Sequence, residues 1–136
     1  MVSAANSHIF YNTHLMNTPT EWNYKRTGEY LKNRYDSDCY SINFTSYGGR
    51  TYDRFQGKCK YKSEFINKSV GYGIEAALHA TGDSLLFIDG RSIPKKSFLR
   101  GKTTMKLLGH GNISAYWSKI TDGIFFIDQM KPASFD

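Results

Sequence analysis

The spacing of apolar and polar positions changes near residue 83 of the chain. Before it, apolar residues recur at helical intervals, and after it, short apolar runs are separated by turn residues. Thr18 can cap a helix, Pro19 suits the first helical position, and Glu21 completes a capping box. Together with glycine stops further along, these signals predict three helices over residues 18–35, 39–47 and 73–81.

The second half of the chain predicts short strands. Its apolar runs lie at residues 84–89, 103–108, 112–117 and 123–128. Because a connection of hairpin length joins the last two runs, we expect them to pair with each other. Helices followed by strands indicate an α+β domain with N-terminal helices packed on an antiparallel sheet. No linker or repeat interrupts the chain, so a single domain over residues 1–136 is predicted.

Composition and charge narrow the class of protein only a little. With 136 residues, 40% of them hydrophobic, the chain can bury a core without disulfide or metal staples. A net charge of +6 favours polyanions such as cell-envelope polymers or nucleic acid. No apolar run is long enough to span a membrane, and the N-terminus lacks the features of a signal peptide. Two cysteines, Cys39 and Cys59, are too few for a disulfide framework, and a single disulfide between them is left as an alternative.

A cysteine and a distant histidine are the strongest candidates for catalysis. Cys39 falls in the first turn of the predicted second helix, where backbone N–H groups and the helix dipole favour a thiolate. His110 lies between two glycines before a strand and is expected to act as its base. Asp128 ends the strand predicted to return towards His110, so we expect it to orient the imidazole. Asp122 and Gln129 remain alternatives for that third position.

The other chemically capable residues have plainer interpretations. His79 lies on the predicted third helix and is expected to be a surface or capping histidine. Glu64 and Glu75 would suit a glycosidase only if they faced one cleft, which nothing in the sequence indicates. His8 and His14 have no acidic partner nearby, so neither a metal nor a cofactor is expected.

Three short motifs resemble those of papain-like cell-wall amidases. They are Asp38-Cys39 opening a helix, Gly82-Asp83 before an apolar strand, and Gly109-His110 before a strand that ends in Trp117. Their order is similar to that of NlpC-type and CHAP-type peptidases and, more closely, of the type VI secretion amidase effectors. The resemblance implies a papain-like fold and a peptidoglycan amidase in which Cys39, His110 and Asp128 cleave an amide bond of the peptide stem.

That resemblance also implies a cognate immunity protein as partner. It implies secretion without a signal peptide, with action in the periplasm or cell wall of a target cell. Two alternatives stay open. The same triad would serve a papain-like protease or glutamine deamidase acting on a host protein. A basic ribonuclease or nucleic-acid-binding toxin is less favoured, although aromatic and basic residues interleave over residues 50–55 and 58–62.

Overall fold

The structure is a computed structural model that describes residues 1, 6–16, 24–53, 62–65, 71–106 and 111–131. Within these ranges the helices and strands follow in the order α1 (Asn6–Ile9), α2 (Thr27–Tyr35), β1 (Ile42–Asp53), β2 (Lys62–Phe65), α3 (Ile74–His79), β3 (Leu85–Asp89), β4 (Thr103–Lys106), β5 (Asn112–Ala115) and β6 (Gly123–Met130). A few helices combine with a mixed sheet, so the predicted α+β class is confirmed. Nothing in the arrangement shows a papain-like fold.

The larger sheet contains a parallel pair of strands. Its order is β2-β1-β6-β3, and β1 runs parallel to β6 while β2 and β3 are antiparallel to their neighbours. Strands β4 and β5 form a separate antiparallel pair. The predicted hairpin between the last two strands is therefore wrong. Trp117 lies in the connection between β5 and β6 and is 1% exposed. Because its side chain anchors this connection in the core, the two strands do not fold back on each other, and β6 pairs elsewhere.

Strand β1 occupies the segment that was predicted to be a helix over residues 39–47. Cys39 follows a 3₁₀ turn, Asp36–Asp38, with extended backbone angles (φ −97°, ψ 125°), so its thiol does not stand at a helix start. Buried positions alternate from Ser41, just before β1, to Thr45, as a strand requires, and Ser46 is buried as well. They carry polar side chains, Ser41, Asn43 and Thr45, and the residues between them include exposed apolar ones. This inverted polarity concealed the strand period in the sequence.

Most other predicted elements in the described ranges are confirmed, with shifted ends. The third helix is α3, and the four apolar runs of the second half are β3 to β6. Helix α2 begins at Thr27, and part of the predicted first helix lies outside the described residues. No helix in the described part of the chain is long and apolar enough to cross a membrane.

The core lies between one face of the larger sheet, α3 and the β4–β5 pair. Its buried members are Phe10, Ile74, Leu78, Met105, Ala115, Trp117, Ile120, Ile124 and Phe126. The rings of Phe10 and Trp117 are 5.8 Å apart, and the indole N–H of Trp117 donates to the Thr103 carbonyl at 2.9 Å. This packing holds α3 and β4 against the strands β1 and β6.

The opposite face of the larger sheet, here called the outer face, is apolar. Register places Phe44, Phe125 and Phe87 in one row across three strands, and Ile127 and Leu85 in the next row. Phe44, Phe87 and Leu85 are 44%, 51% and 59% exposed. Parallel strands are normally covered on both faces, so this surface is unusually open for its strand arrangement.

Candidate active site

A histidine and an aspartate form a close pair on the core-facing side of the larger sheet. His79 is the last residue of α3, and Asp128 lies in the second half of β6. The distance from His79 Nδ1 to Asp128 Oδ1 is 2.6 Å. The side chains are 45% and 22% exposed, so solvent reaches the pair. A carboxylate on Nδ1 fixes the ring and leaves Nε2 as the nitrogen that can accept a proton.

Tyr47 of β1 supports the imidazole from one side. The rings of Tyr47 and His79 are stacked, with centroids 3.8 Å apart and planes 5° from parallel. The β1–β6 register sets Tyr47 beside Asp128, because Ser46 lies opposite Ile127 and the next paired positions follow it. The stack and the hydrogen bond therefore hold the imidazole in one orientation before any ligand binds.

A buried polar cluster of Thr45, Glu75 and Lys106 lies next to this pair. Glu75 is fully buried, and its Oε1 accepts hydrogen bonds from the Lys106 backbone N–H at 2.6 Å and the Thr45 hydroxyl at 2.5 Å. Lys106 Nζ donates to the Tyr47 carbonyl at 2.7 Å. Burial lowers the pKa of Lys106, and the charge of Glu75 opposes that shift. The cluster connects α3, β1 and β4.

A second charged cluster centres on Asp122, at the amino ends of β1 and β6. Asp122 is 5% exposed. Its carboxylate accepts hydrogen bonds from the Ser41 backbone N–H at 3.0 Å, Arg91 Nε at 3.0 Å and Lys32 Nζ at 3.2 Å. Burial raises the pKa of Asp122, but these hydrogen bonds outweigh it and bring the pKa below its usual value. At least three donors of the described residues engage the carboxylate, which indicates that this cluster stabilises the fold.

The structure separates two of the three residues predicted to form a triad. Cys39 lies just before β1, at the end where Ile42 is opposite Gly123. Asp128 lies five residues further along β6, which is roughly 16 Å at about 3.3 Å per residue. His110, the predicted base, and Cys59 lie outside the described residues. Within the described part of the chain, no group of three or more His, Cys, Asp or Glu side chains could hold a metal ion.

Asp128 does face an imidazole, but that of His79. The two alternatives for the third position also lie elsewhere: Asp122 belongs to the opposite end of β6, and Gln129 Nε2 only approaches Asp128 Oδ2 at 3.5 Å. One signal for His79 was present in the sequence. Asp128 shares its strand face with Phe126, so a core-facing carboxylate at the end of that face needed a partner from the packed helix.

The family model described as Erythromycin esterase matches residues 1–130, and the chain therefore belongs to the erythromycin esterase family. None of the curated proteins matches the chain. Its fold is similar to that of a succinoglycan biosynthesis protein (20% identity, TM-score 0.65) and a Bacillus cereus protein (15%, 0.64). It is also similar to a mutant of the erythromycin esterase EreC in its open conformation (12%, 0.62).

These solved neighbours are much longer than the chain. The matches cover 91%, 91% and 96% of this chain but only 31%, 32% and 32% of the respective neighbours. The chain thus spans about a third of their length. At such identities the likeness concerns the fold.

The family match overturns the resemblance to NlpC-type, CHAP-type and type VI secretion amidases. The peptidoglycan amidase function inferred from that resemblance is wrong as well. The physical reason is local: Asp38-Cys39 leads into a strand, so the first of the three motifs lacks the helix start that gave it meaning. Gly-Asp and Gly-His before a strand are ordinary turn sequences, and without the first motif they carry little information.

Proposed function

We propose that the chain contributes to an ester hydrolase and that His79 is its general base. Membership of the erythromycin esterase family supports the reaction class. The observation that carries the residue assignment is the 2.6 Å contact between His79 Nδ1 and Asp128 Oδ1. The chain spans about a third of the length of its solved neighbours, so the proposal assigns it a contribution to ester hydrolysis.

In this mechanism, His79 Nε2 accepts a proton from water as the water oxygen attacks the ester carbonyl. Asp128 stabilises the imidazolium that forms, and the stacked Tyr47 ring prevents the imidazole from turning away. The imidazolium then returns the proton to the departing alkoxide, so that an acid and an alcohol leave. Water and ester are the only reactants, and general-base assistance of this kind contributes typically 10²- to 10⁴-fold.

The geometry of the other candidates supports this choice. Asp122 is engaged by at least three donors, and Arg91 also donates to the Cys39 carbonyl at 2.5 Å. In the described part of the chain, no imidazole other than that of His79 has a carboxylate on a ring nitrogen. The family name points to lactones of the macrolide type, which are cyclic esters.

The test compares His79→Gln and Asp128→Asn with the unaltered protein on a panel of p-nitrophenyl esters and a macrolide lactone. We expect His79→Gln to lower kcat by about 10²- to 10⁴-fold with little change in KM, because the base acts in the transition state. Asp128→Asn should lower kcat as well, since the imidazole loses the group that sets its tautomer. His8→Gln, on the exposed surface of α1, is the matched control and should retain activity.

Three results would contradict the proposal in different ways. Absence of ester hydrolysis by the unaltered protein across the panel would remove the reaction class. Full activity of a folded His79→Gln protein would remove the base. If His14→Gln were inactive while His79→Gln was active, the base would be His14, which is exposed in a 3₁₀ turn after Asn12 in a left-handed conformation (φ 52°).

A further inference from the structure

Helix α3 is too short to hold its own orientation. It has six residues, and isolated helices shorter than about 12–15 residues are marginal in water. Its rotation about its axis must therefore be set by tertiary contacts. The buried faces of Ile74 and Leu78 supply apolar packing, which is compatible with small rotations because it is not directional.

Glu75 supplies the directional contact. It lies in the first turn of α3, is fully buried, and uses one carboxylate oxygen to bind two other elements. Its Oε1 accepts the N–H of Lys106 from β4 and the hydroxyl of Thr45 from β1. The two hydrogen bonds are short, at 2.6 and 2.5 Å, so this contact fixes the helix against both sheets.

His79 follows Glu75 by four residues, which places the two side chains on the same face of the helix. A rotation of about 20° would move a side chain group about 5 Å from the axis by roughly 2 Å. That displacement would exceed the tolerance of the 2.6 Å contact to Asp128. The contact made by Glu75 at one end of α3 therefore determines where His79 points at the other.

Lys106 completes the same connection from β4. Its backbone N–H binds Glu75, and its Nζ binds the carbonyl of Tyr47, whose ring stacks on His79. Lys106 therefore contacts both Glu75, which holds α3 in place, and Tyr47, which stacks on the imidazole. The side chain is 3% exposed, so it acts from beneath the site and not on a ligand.

We propose that Glu75 is a positioning residue for the His79–Asp128 pair, acting through the rotation of α3. The inference deepens the proposed function and rests on it for its effect on turnover, but the orientation of His79 can be observed without any hydrolysis. Glu75 touches no substrate in this scheme. It ensures that the imidazole and the carboxylate meet.

The test uses Glu75→Ala and Glu75→Gln, with Leu78→Ala as the matched control on the same helix. The NMR signal of the His79 Nδ1 proton, shifted downfield by its hydrogen bond to Asp128, reports the pair directly. We expect Glu75→Ala to lose this signal and to lower kcat by about 10- to 100-fold with KM nearly unchanged, the cost of a small misplacement. Glu75→Gln should recover both in part, because its amide oxygen can accept the same two hydrogen bonds but carries no charge to face Lys106.

Leu78→Ala should reduce stability, since it leaves a cavity in the core, yet keep the His79 signal. If Glu75→Ala does not fold, Thr45→Val removes one of the two hydrogen bonds to Oε1 and should weaken the signal. An unchanged signal in folded Glu75→Ala or in Thr45→Val, or equal loss in Leu78→Ala, would overturn the positioning role. If the signal responds as expected in a protein without esterase activity, the positioning role stands and the proposed function fails.

Discussion

The two aspartates at opposite ends of the β1–β6 pair, Asp122 and Asp128, differ in their hydrogen-bond partners and therefore in their roles. At the amino end, Asp122 joins α2 through Lys32, the loop after β3 through Arg91, and the approach to β1 through the Ser41 N–H. At the other end, Asp128 has an exposed histidine as its main partner. A carboxylate bound by several fixed donors stabilises a fold, whereas one bound to a solvent-accessible imidazole leaves a proton acceptor available.

Asp122→Asn should lower the free energy of unfolding by about 2–4 kcal/mol at pH 7, because a buried carboxylate loses charged hydrogen bonds. The folded-state pKa of Asp122 lies below its unfolded value. Its stabilisation is therefore present above the unfolded pKa near 4 and is lost as the pH falls through the folded pKa.

Urea unfolding of both proteins at pH 7 and near pH 2 measures the effect. The difference between them should shrink at the lower pH, which lies below the unfolded pKa of an aspartate, so that part of the stabilisation by the Asp122 charge is already lost. Asp83→Asn, at an exposed turn, is the control and should change little at either pH. An Asp122→Asn penalty of the same size at both values of pH would show that charge is not the cause.

At the residue scale, the sequence predicted that Asp128 would orient an imidazole but assigned the wrong neighbour strand to it. The period of two along β6 can be read from the apolar residues that precede Asp128. Which histidine lies on that face depends on β6 pairing with β1 and β3 and on α3 packing there. No local signal records these pairings, because their partners are distant in the chain.

At the scale of elements, a glycine inside α2 has a contact that explains it. Gly28 weakens the helix in sequence terms, since glycine costs about 1 kcal/mol relative to alanine. In the structure a Cβ at this position would lie 1.9 Å from the Ile9 carbonyl oxygen. Helix α2 therefore passes so close to the backbone of α1 that only a residue without a side chain fits.

Gly28→Ala should consequently destabilise the protein, although alanine is the better helix former. Overpacking against backbone costs typically 1–3 kcal/mol, and here the contacting atom cannot move without shifting α1. Thermal unfolding followed by circular dichroism measures the change. Gly71→Ala, where a Cβ would meet nothing within 4 Å, is the control and should have little effect. Equal midpoints for the two variants would contradict the close approach of α1 and α2.

The prediction of helices and strands was correct where the spacing of apolar residues and a terminating residue indicated the same element. Helix α3 shows both, with Ile74 and Leu78 buried at helical spacing. It failed at β1, whose buried positions are polar because Thr45 binds the carboxylate of Glu75 and Asn43 binds Thr121. A buried polar seam is a tertiary feature, so hydrophobic periodicity alone cannot reveal it.

At the scale of the whole molecule, the outer face exposes large apolar side chains to solvent. Its exposed phenylalanines and leucine make a contiguous apolar patch across β1, β6 and β3. Patches of this kind on a folded protein mark contact surfaces or sites of aggregation. The patch contributes little to the core on the other side of the sheet.

Phe44→Lys combined with Phe87→Lys should therefore reduce binding of the dye ANS and raise solubility, with little loss of stability, because both side chains are about half exposed. Dye fluorescence and urea midpoints measure the two effects. Phe98→Lys, exposed in the 3₁₀ turn Phe98–Arg100, is the control for adding charge. A large drop in the urea midpoint of the double variant would indicate that the outer face is covered in solution.

The parallel pairing of β1 with β6 also sets the order of events during synthesis. Ile42 meets a residue about 80 positions later in the chain. At 5–20 residues per second, a ribosome takes roughly 4–16 s to add that length. Non-local pairings of this type form slowly, because the entropy of closing a long loop is lost before the strand contacts can stabilise the pair. The nascent chain therefore carries β1 unpaired for seconds, with its phenylalanine side exposed, and this interval is when a chaperone would matter most.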